Sequence, residues 1–136
     1  MNILIIDGQG GRLGSQLVQA AAARFPQARI CAVGTNAMAT AAMIKAGAHQ
    51  AATGENPTVV ACRAADVIVG PVGIVIADAL HGEITPAMAV AVGQARAARV
   101  LIPINKCENQ VAGVADQPLA TLIADALRRV SEILHA

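Results

Sequence analysis

Aromatic residues are almost absent from this chain. Phe25 is the only one among 136 residues, and the sequence has neither tryptophan nor tyrosine. Proteins that bind single-stranded nucleic acids stack the bases on aromatic side chains, so this mode of binding is excluded. The formal net charge of +1 supplies no basic surface for a nucleic acid or an anionic membrane. We therefore expect neither kind of partner.

Charged residues are also scarce, at 14%, whereas 55% of the residues are hydrophobic. This balance excludes a disordered chain, and the length fits a single domain over residues 1–136 with a core of its own. The most apolar run lies between Asp66 and Asp78, but Gly70, Pro71 and Gly73 interrupt it. It therefore has only about half of the roughly 20 residues that a membrane-spanning helix requires.

Cysteine is sparse and widely spaced. Cys31, Cys62 and Cys107 are odd in number and form no CxxC pair. This usage argues against a disulfide framework and against a cysteine zinc site, and it fits a reducing compartment. We expect a cytoplasmic protein without a metal ion.

Short apolar runs alternate with segments of helical periodicity along the chain, which is the pattern of an α/β protein. The predicted parallel strands are residues 2–7, 29–33, 49–53, 66–70 and 100–104. A sixth apolar run, residues 110–114, follows too closely for a parallel crossover, so we expect it to pair antiparallel. The prediction is a three-layer, Rossmann-like α/β fold: a mostly parallel sheet with an antiparallel edge strand, in the order 3-2-1-4-5-6.

Glycine and polar residues collect where the predicted strands end. The first strand is followed by GQGGRLG, the second by GTN and the fourth by GPVG, whereas the segments that lead into the strands are plain. In open α/β sheets, ligands bind in the crevice beyond the carboxyl ends of the strands. This one-sided distribution predicts a ligand site at that edge.

The sequence after the first strand predicts a phosphate-binding loop. Gly8, Gly11 and Gly14 form a GxxGxxG pattern directly between a strand and a helix, and Gly10 adds a second point of close approach. Such a loop lets backbone N–H groups and a helix N-terminus hold a phosphate. It is not a Walker loop, because no GK[ST] follows. The alternative interpretation is a tight turn without a ligand.

The end of the second strand bears on the kind of nucleotide. NAD-binding folds place an acidic residue there, about 20 residues after the glycines, to meet the ribose. This chain has the neutral Thr35 and Asn36 instead, which together with Arg12 would tolerate a 2′-phosphate and favour NADP over NAD. Alternatively, Thr35 and Asn36 only cap the second helix. The predicted cofactor-binding residues are Gly8, Gln9, Gly10, Gly11, Arg12, Leu13, Gly14, Thr35, Asn36, Gly70, Pro71 and Gly73.

Cys107, His81 and Glu83 are the candidates for catalysis. Cys107 is the only cysteine at the predicted ligand edge and follows Lys106, whose charge would favour a reactive thiolate. Asp78, His81 and Glu83 could bind a divalent metal or perform acid–base chemistry, although their spacing matches no known ligand pattern. The alternatives are a structural cysteine and a glutamate that only favours the dipole of the next helix.

Six short runs are distinctive in combination: IIDGQGG (5–11), GTN (34–36), TGEN (53–56), GPVG (70–73), GEITP (82–86) and PINKC (103–107). Together they resemble a bacterial family of short, single-domain proteins of unknown function, over nearly the whole chain. The resemblance implies a Rossmann-like fold and supplies no reaction. Arg12 stands where that family more often has another glycine, so the argument for NADP concerns this chain rather than the family.

These observations predict an NAD(P)- or nucleotide-binding protein, in the form of a small oxidoreductase or a cofactor-dependent subunit. One alternative is a non-catalytic nucleotide sensor that acts through a partner interface. The other is a small-molecule enzyme that uses Cys107 without a dinucleotide. Because the chain has no spare length for a substrate domain and is so aliphatic, we also expect a homodimer.

Overall fold

The computed structural model describes residues 1–104 and 108–136. Within them a five-stranded sheet has the order β3-β2-β1-β4-β5, with every neighbouring pair parallel. The strands are β1 (Asn2–Asp7), β2 (Arg29–Gly34), β3 (Gln50–Thr53), β4 (Val67–Pro71) and β5 (Ala98–Ile102). The helices are α1 (Arg12–Arg24), α2 (Ala37–Ala46), α3 (Glu55–Ala64), α4 (Pro86–Gln94) and α5 (Leu119–Leu134), with a short 3₁₀ helix at Val72–Val75.

The central strand β1 is buried on both faces. Ile3 and Ile5 pack into the core formed with α1, α2 and α5, whereas Leu4 and Ile6 pack into the core formed with α3 and α4. All four side chains are at most 1% exposed. A parallel strand covered by helices on both sides is apolar throughout rather than alternating, which explains the continuous run in the sequence. The predicted three-layer, Rossmann-like α/β fold is confirmed.

Two helices begin at a residue type that is typical of a helix cap. The Asn36 side chain accepts a hydrogen bond from the Ala39 N–H (2.9 Å) at the start of α2. At the start of α4, Thr85 Oγ1 accepts one from the Met88 N–H (3.2 Å), with Pro86 at the first helical position. In each case a side-chain oxygen satisfies a backbone donor that the helix itself leaves free.

The third helix begins earlier than the sequence pattern suggests. Asparagine followed by proline, as at Asn56 and Pro57, is typical of a helix cap and the first helical residue, but α3 starts at Glu55 and Gly54 holds the cap position with φ 101°. Glycine adopts that backbone conformation without a steric penalty, and the helix still carries Pro57 in its first turn, where no backbone donor is needed.

The predicted antiparallel edge strand is wrong. Residues 110–114 form no strand and are exposed, so β5 is the outermost strand on that side of the described sheet. Gly113 adopts φ 80°, which interrupts an extended chain, and Val111 and Val114 stay 38% and 40% exposed. A five-residue run with a central turn residue buries too little apolar surface to join the sheet.

None of the helices in residues 1–104 and 108–136 combines the length and the apolarity needed to span a lipid bilayer.

Candidate functional site

The parallel register brings the carboxyl ends of the strands side by side. Asp7 pairs with Gly34, and Gly34 pairs with Thr53. The Thr35 N–H donates to the carbonyl oxygen of Asp7 (3.0 Å), and the Gly54 N–H donates to that of Gly34 (2.9 Å). Consequently the glycine loop, which we define as residues 8–14, lies directly beside the end of β2.

Two glycines of the glycine loop are required by the fold itself. Gly11 caps α1 with φ 73°, and a Cβ there would lie 2.7 Å from the Cα of Ala39. At Gly14 a Cβ would lie 2.7 Å from the Cβ of Asp7 and 2.6 Å from the sulfur of Met43. These glycines let α1 pack closely on β1 and α2, and no ligand is needed to explain them.

Gly8 is covered by the chain's own side chains. A Cβ there would lie 2.9 Å from Glu83 Oε1 and 2.9 Å from Leu80 Cδ1, and it would also collide with Thr35. Gly8 is accordingly buried. Glu83 and Leu80 belong to the segment that follows the 3₁₀ helix, residues 76–84, which we call the covering segment, whereas Thr35 directly follows β2.

Gly10 differs from the other three glycines of the loop. It is exposed, its φ lies outside the left-handed region, and a Cβ there would meet nothing within 4 Å. In the described part of the chain, the backbone N–H groups of Gly10, Arg12 and Leu13 donate to no protein group. Packing therefore does not require glycine at position 10, and three backbone donors at or beside it have no protein partner among the described residues.

The Glu83 carboxylate connects the glycine loop to the end of β2. Its Oε1 accepts hydrogen bonds from the Gln9 N–H (2.9 Å), from Asn36 Nδ2 (2.8 Å) and from Thr35 Oγ1. Asn36 Nδ2 also donates to the carbonyl oxygen of Gln9 (2.8 Å). Burial alone would raise the pKa of Glu83, but these hydrogen bonds outweigh it and hold that pKa below its ordinary value. Glu83 is thus a carboxylate at neutral pH.

Asp78 and His81, the other two members of the predicted titratable group, are not among the groups that hydrogen-bond to Glu83, although His81 lies near enough to help lower its pKa. Both are exposed and adopt left-handed backbone conformations, with φ 66° and 57°. Across residues 1–104 and 108–136, no group of three or more His, Cys, Asp and Glu side chains lies close enough to hold a metal ion. The sequence neighbours of Glu83 therefore do not assemble with it into a metal site.

The glycines after β4 lie inside the protein. Gly70, Pro71 and Gly73 are buried, and a Cβ at Gly70 would collide with the carbonyl oxygen of Ile6. A Cβ at Gly73 would lie 3.2 Å from that of Ala79 in the covering segment. These residues let the chain fold over the ends of β1 and β4, and they are separated from the exposed side of the glycine loop.

The predicted catalytic residue Cys107 lies outside the described residues, as does its neighbour Lys106. The other two cysteines are free thiols. Cys62 belongs to α3 and is buried in the core, as expected of a small apolar side chain, whereas Cys31 is half-buried on β2.

Residues 2–135 match a family described as Domain of unknown function (DUF3842). The chain belongs to this family. The match agrees with the resemblance to an uncharacterised family that the six sequence runs carry. No curated protein matches the chain.

One solved structure that is similar to this chain is a dodecameric FMN-dependent UbiX-like decarboxylase from Escherichia coli O157:H7. The similarity covers 98% of this chain and 76% of that chain, with 19% identity and a TM-score of 0.44. A similarity of this size assigns no ligand, reaction or assembly to this member of the family.

Asp7 is the site residue that the sequence analysis missed. It is 5% exposed, and its Oδ2 accepts a hydrogen bond from the Gly14 N–H (2.7 Å). Burial raises the pKa of Asp7, the Gly14 and Gly8 N–H groups oppose this, and the charge of Glu83 adds to the rise. The available signal is an acidic residue that ends an apolar strand directly before glycines.

We expect the Asp7→Asn variant to be more stable than the wild type at about pH 7.5. A carboxyl group whose pKa is raised by folding stabilises the fold below its unfolded pKa, and this contribution is lost as the pH rises through the folded pKa. Asparagine keeps an oxygen acceptor for the Gly14 N–H and has no charge to bury. In urea unfolding across about pH 4 to 8, the difference in the free energy of unfolding between Asp7→Asn and the wild type should decrease as the pH falls. A wild type that is the more stable protein at neutral pH would contradict this.

Proposed function

We propose that this protein binds a nucleotide and holds its phosphate at the exposed side of the glycine loop. The observation that carries the proposal is Gly10, which is exposed, has open space around its missing Cβ and stands beside open backbone donors. A glycine without a packing role is expected where a ligand must approach the backbone closely. The phosphate would accept hydrogen bonds from the N–H groups of Gly10, Arg12 and Leu13.

The start of α1 favours an anion at this place. The helix has no side-chain cap and no acidic residue in its first turn. The Gly14 N–H donates to Asp7, whereas the N–H groups of Arg12 and Leu13, together with the helix dipole, remain available to a phosphate. The exposed Arg12 side chain adds a guanidinium group that can bind two phosphate oxygens at once.

Thr35 and Asn36 enter this proposal in a different role from the one the sequence suggests. Asn36 does cap α2, as the alternative interpretation holds, and its amide nitrogen contacts Gln9 and Glu83. Thr35 likewise donates to Glu83. Both side chains thus position the Glu83 carboxylate beside the loop. The proposal assigns binding to the site and leaves any reaction aside.

Isothermal titration calorimetry with AMP, ATP, NAD, NADH, NADP and NADPH tests the proposal. The Gly10→Gln variant places a bulky, uncharged side chain over the open donors without disturbing any packed atom. Because it blocks hydrogen bonds to a charged group, it should weaken nucleotide binding by at least about tenfold and leave thermal unfolding unchanged.

The matched control is Gly93→Gln. Gly93 lies in α4, and a Cβ there also meets nothing within 4 Å, so the substitution is equally free of packing effects but remote from the loop. It should bind nucleotides like the wild type. The proposal is overturned if no nucleotide binds at millimolar concentration, or if Gly10→Gln binds as tightly as the control.

Homodimerisation stays a prediction. Apolar side chains on α2, α3 and α4 are largely exposed, at 49% to 70%: Met38, Ile44, Val60 and Val90. A second copy of the chain would remove such surface from water, and native mass spectrometry of the same samples reports the oligomeric state.

A further inference from the structure

The Glu83 carboxylate occupies a position that the second strand leaves vacant. Dinucleotide-binding folds place an acidic side chain at the end of the second strand, next to the glycine loop, where it accepts hydrogen bonds from the ribose hydroxyls. In this chain β2 ends in Gly34 and is followed by the neutral Thr35 and Asn36. Glu83 reaches the same place from the covering segment, because Thr35 and Asn36 both donate to its Oε1.

The two oxygens of this carboxylate have different roles. Oε1 accepts three hydrogen bonds from the protein, which fix its distance from the Gln9 backbone and from the end of β2. No described residue donates a hydrogen bond to Oε2, and the side chain is half-buried rather than enclosed. Oε2 is therefore a positioned acceptor that is open to a hydroxyl group of a ligand.

The charge of Glu83 also discriminates between a hydroxyl group and a phosphate group of the ligand. A phosphate group close to this carboxylate would face a like charge with only partial screening by solvent, whereas a hydroxyl group would donate a hydrogen bond to it. Arg12, which the sequence analysis connects with a 2′-phosphate, is the first residue of α1 and is not among the groups that donate to the Glu83 carboxylate. The position of Glu83 thus favours the opposite preference to the one predicted from sequence.

We infer that Glu83 selects nucleotides whose ribose carries free hydroxyl groups and rejects those with a 2′-phosphate. The ligand class is then NAD or an adenosine 5′-phosphate rather than NADP. This inference rests on the proposed binding of a nucleotide phosphate at the glycine loop.

The test compares two pairs of ligands by isothermal titration calorimetry: NAD with NADP, and AMP with adenosine 2′,5′-bisphosphate. Wild-type protein should bind the first member of each pair at least about tenfold more tightly, as like-charge repulsion at short range predicts. Glu83→Gln keeps the size of the side chain and an oxygen that can accept from Gln9, but it removes the charge. In this variant the preference should shrink to about twofold or less, mainly because the 2′-phosphorylated ligand gains affinity.

Glu55→Gln is the matched control. Glu55 is a second carboxylate at the same edge of the sheet, and it accepts a hydrogen bond from Thr85 Oγ1 (2.6 Å) rather than from the glycine loop. The Glu55→Gln variant should keep the wild-type ratio. The ratio of the two dissociation constants is insensitive to a partly unfolded sample, because unfolding lowers the apparent affinity of both ligands equally. Equal affinities in the wild type, or an unchanged ratio in Glu83→Gln, overturn the inference while the proposed function stands. No binding of any of the four ligands by the wild type overturns both.

Discussion

Replacing Gly11 by alanine is expected to lower the free energy of unfolding by about 3 kcal/mol, whereas the same replacement at Gly10 should change it by less than about 0.5 kcal/mol. The backbone of Gly11 has φ 73°, a conformation that costs an L-residue about 1–2 kcal/mol. Its Cβ would also lie 2.7 Å from the Cα of Ala39 and 3.1 Å from the Cβ of Ala42, which forces α1 and α2 apart.

Urea unfolding followed by circular dichroism measures both variants. An equal loss of stability at the two positions would show that Gly10 also has a packing role, and it would remove the main support for a ligand at the loop. The contrast also decides which variant is suited to binding experiments. Loss of binding in a Gly11 variant would follow from a damaged fold alone. Loss of binding in a Gly10 variant with an intact fold would show that the substitution blocks the ligand.

Truncation of Leu80 to alanine should lower the free energy of unfolding by about 3 kcal/mol, within the range for a fully buried leucine. Leu80 is 1% exposed, and it packs over Gly8 and Gly73 at the ends of β1 and β4. The loss should follow from a cavity at the place where the covering segment closes the sheet edge.

His81→Ala is the matched control for Leu80→Ala, because the two residues are adjacent and share a left-handed backbone, with φ 57° and 56°. His81 is exposed, so its truncation should cost less than about 0.5 kcal/mol. Comparable, small losses at both positions would mean that the covering segment is not part of the core and does not fix Glu83 in place.

The strands could be predicted because a parallel sheet buried on both faces produces continuous apolar runs that end in glycine or polar residues. The runs at β1, β2 and β4 are of this kind, and each was located to within a residue or so. Residues 110–114 have a similar composition but are short and contain Gly113 at φ 80°. Local pattern alone does not distinguish such a run from an edge strand, since only the buried area decides whether it pairs.

The position of the ligand site at the carboxyl ends of the strands could be predicted, whereas the contacts among its residues could not. The phosphate-loop pattern in the sequence rests on Gly8, Gly11 and Gly14, with Gly10 as a further point of close approach, but only the folded neighbours show that packing requires the first three and not Gly10. Glu83 was noticed as a titratable residue, yet its place beside β2 depends on the burial of Leu80 and Ile84 in the covering segment. The usual rule looks for an acidic residue at the end of the second strand. It therefore misses Glu83, which lies in a segment that follows the fourth strand.

The central claim is that the open N–H groups at the start of α1 hold a phosphate, and amide chemical shifts report on them directly. In ¹H–¹⁵N spectra, titration with ADP should shift the amide signals of Gly10, Arg12 and Leu13 together, with one dissociation constant, whereas adenosine without a phosphate should leave them in place. The opposite result would be unchanged signals at these residues while others move, for example along the groove between β5 and α5. That outcome would identify the glycine loop as a turn required by packing alone.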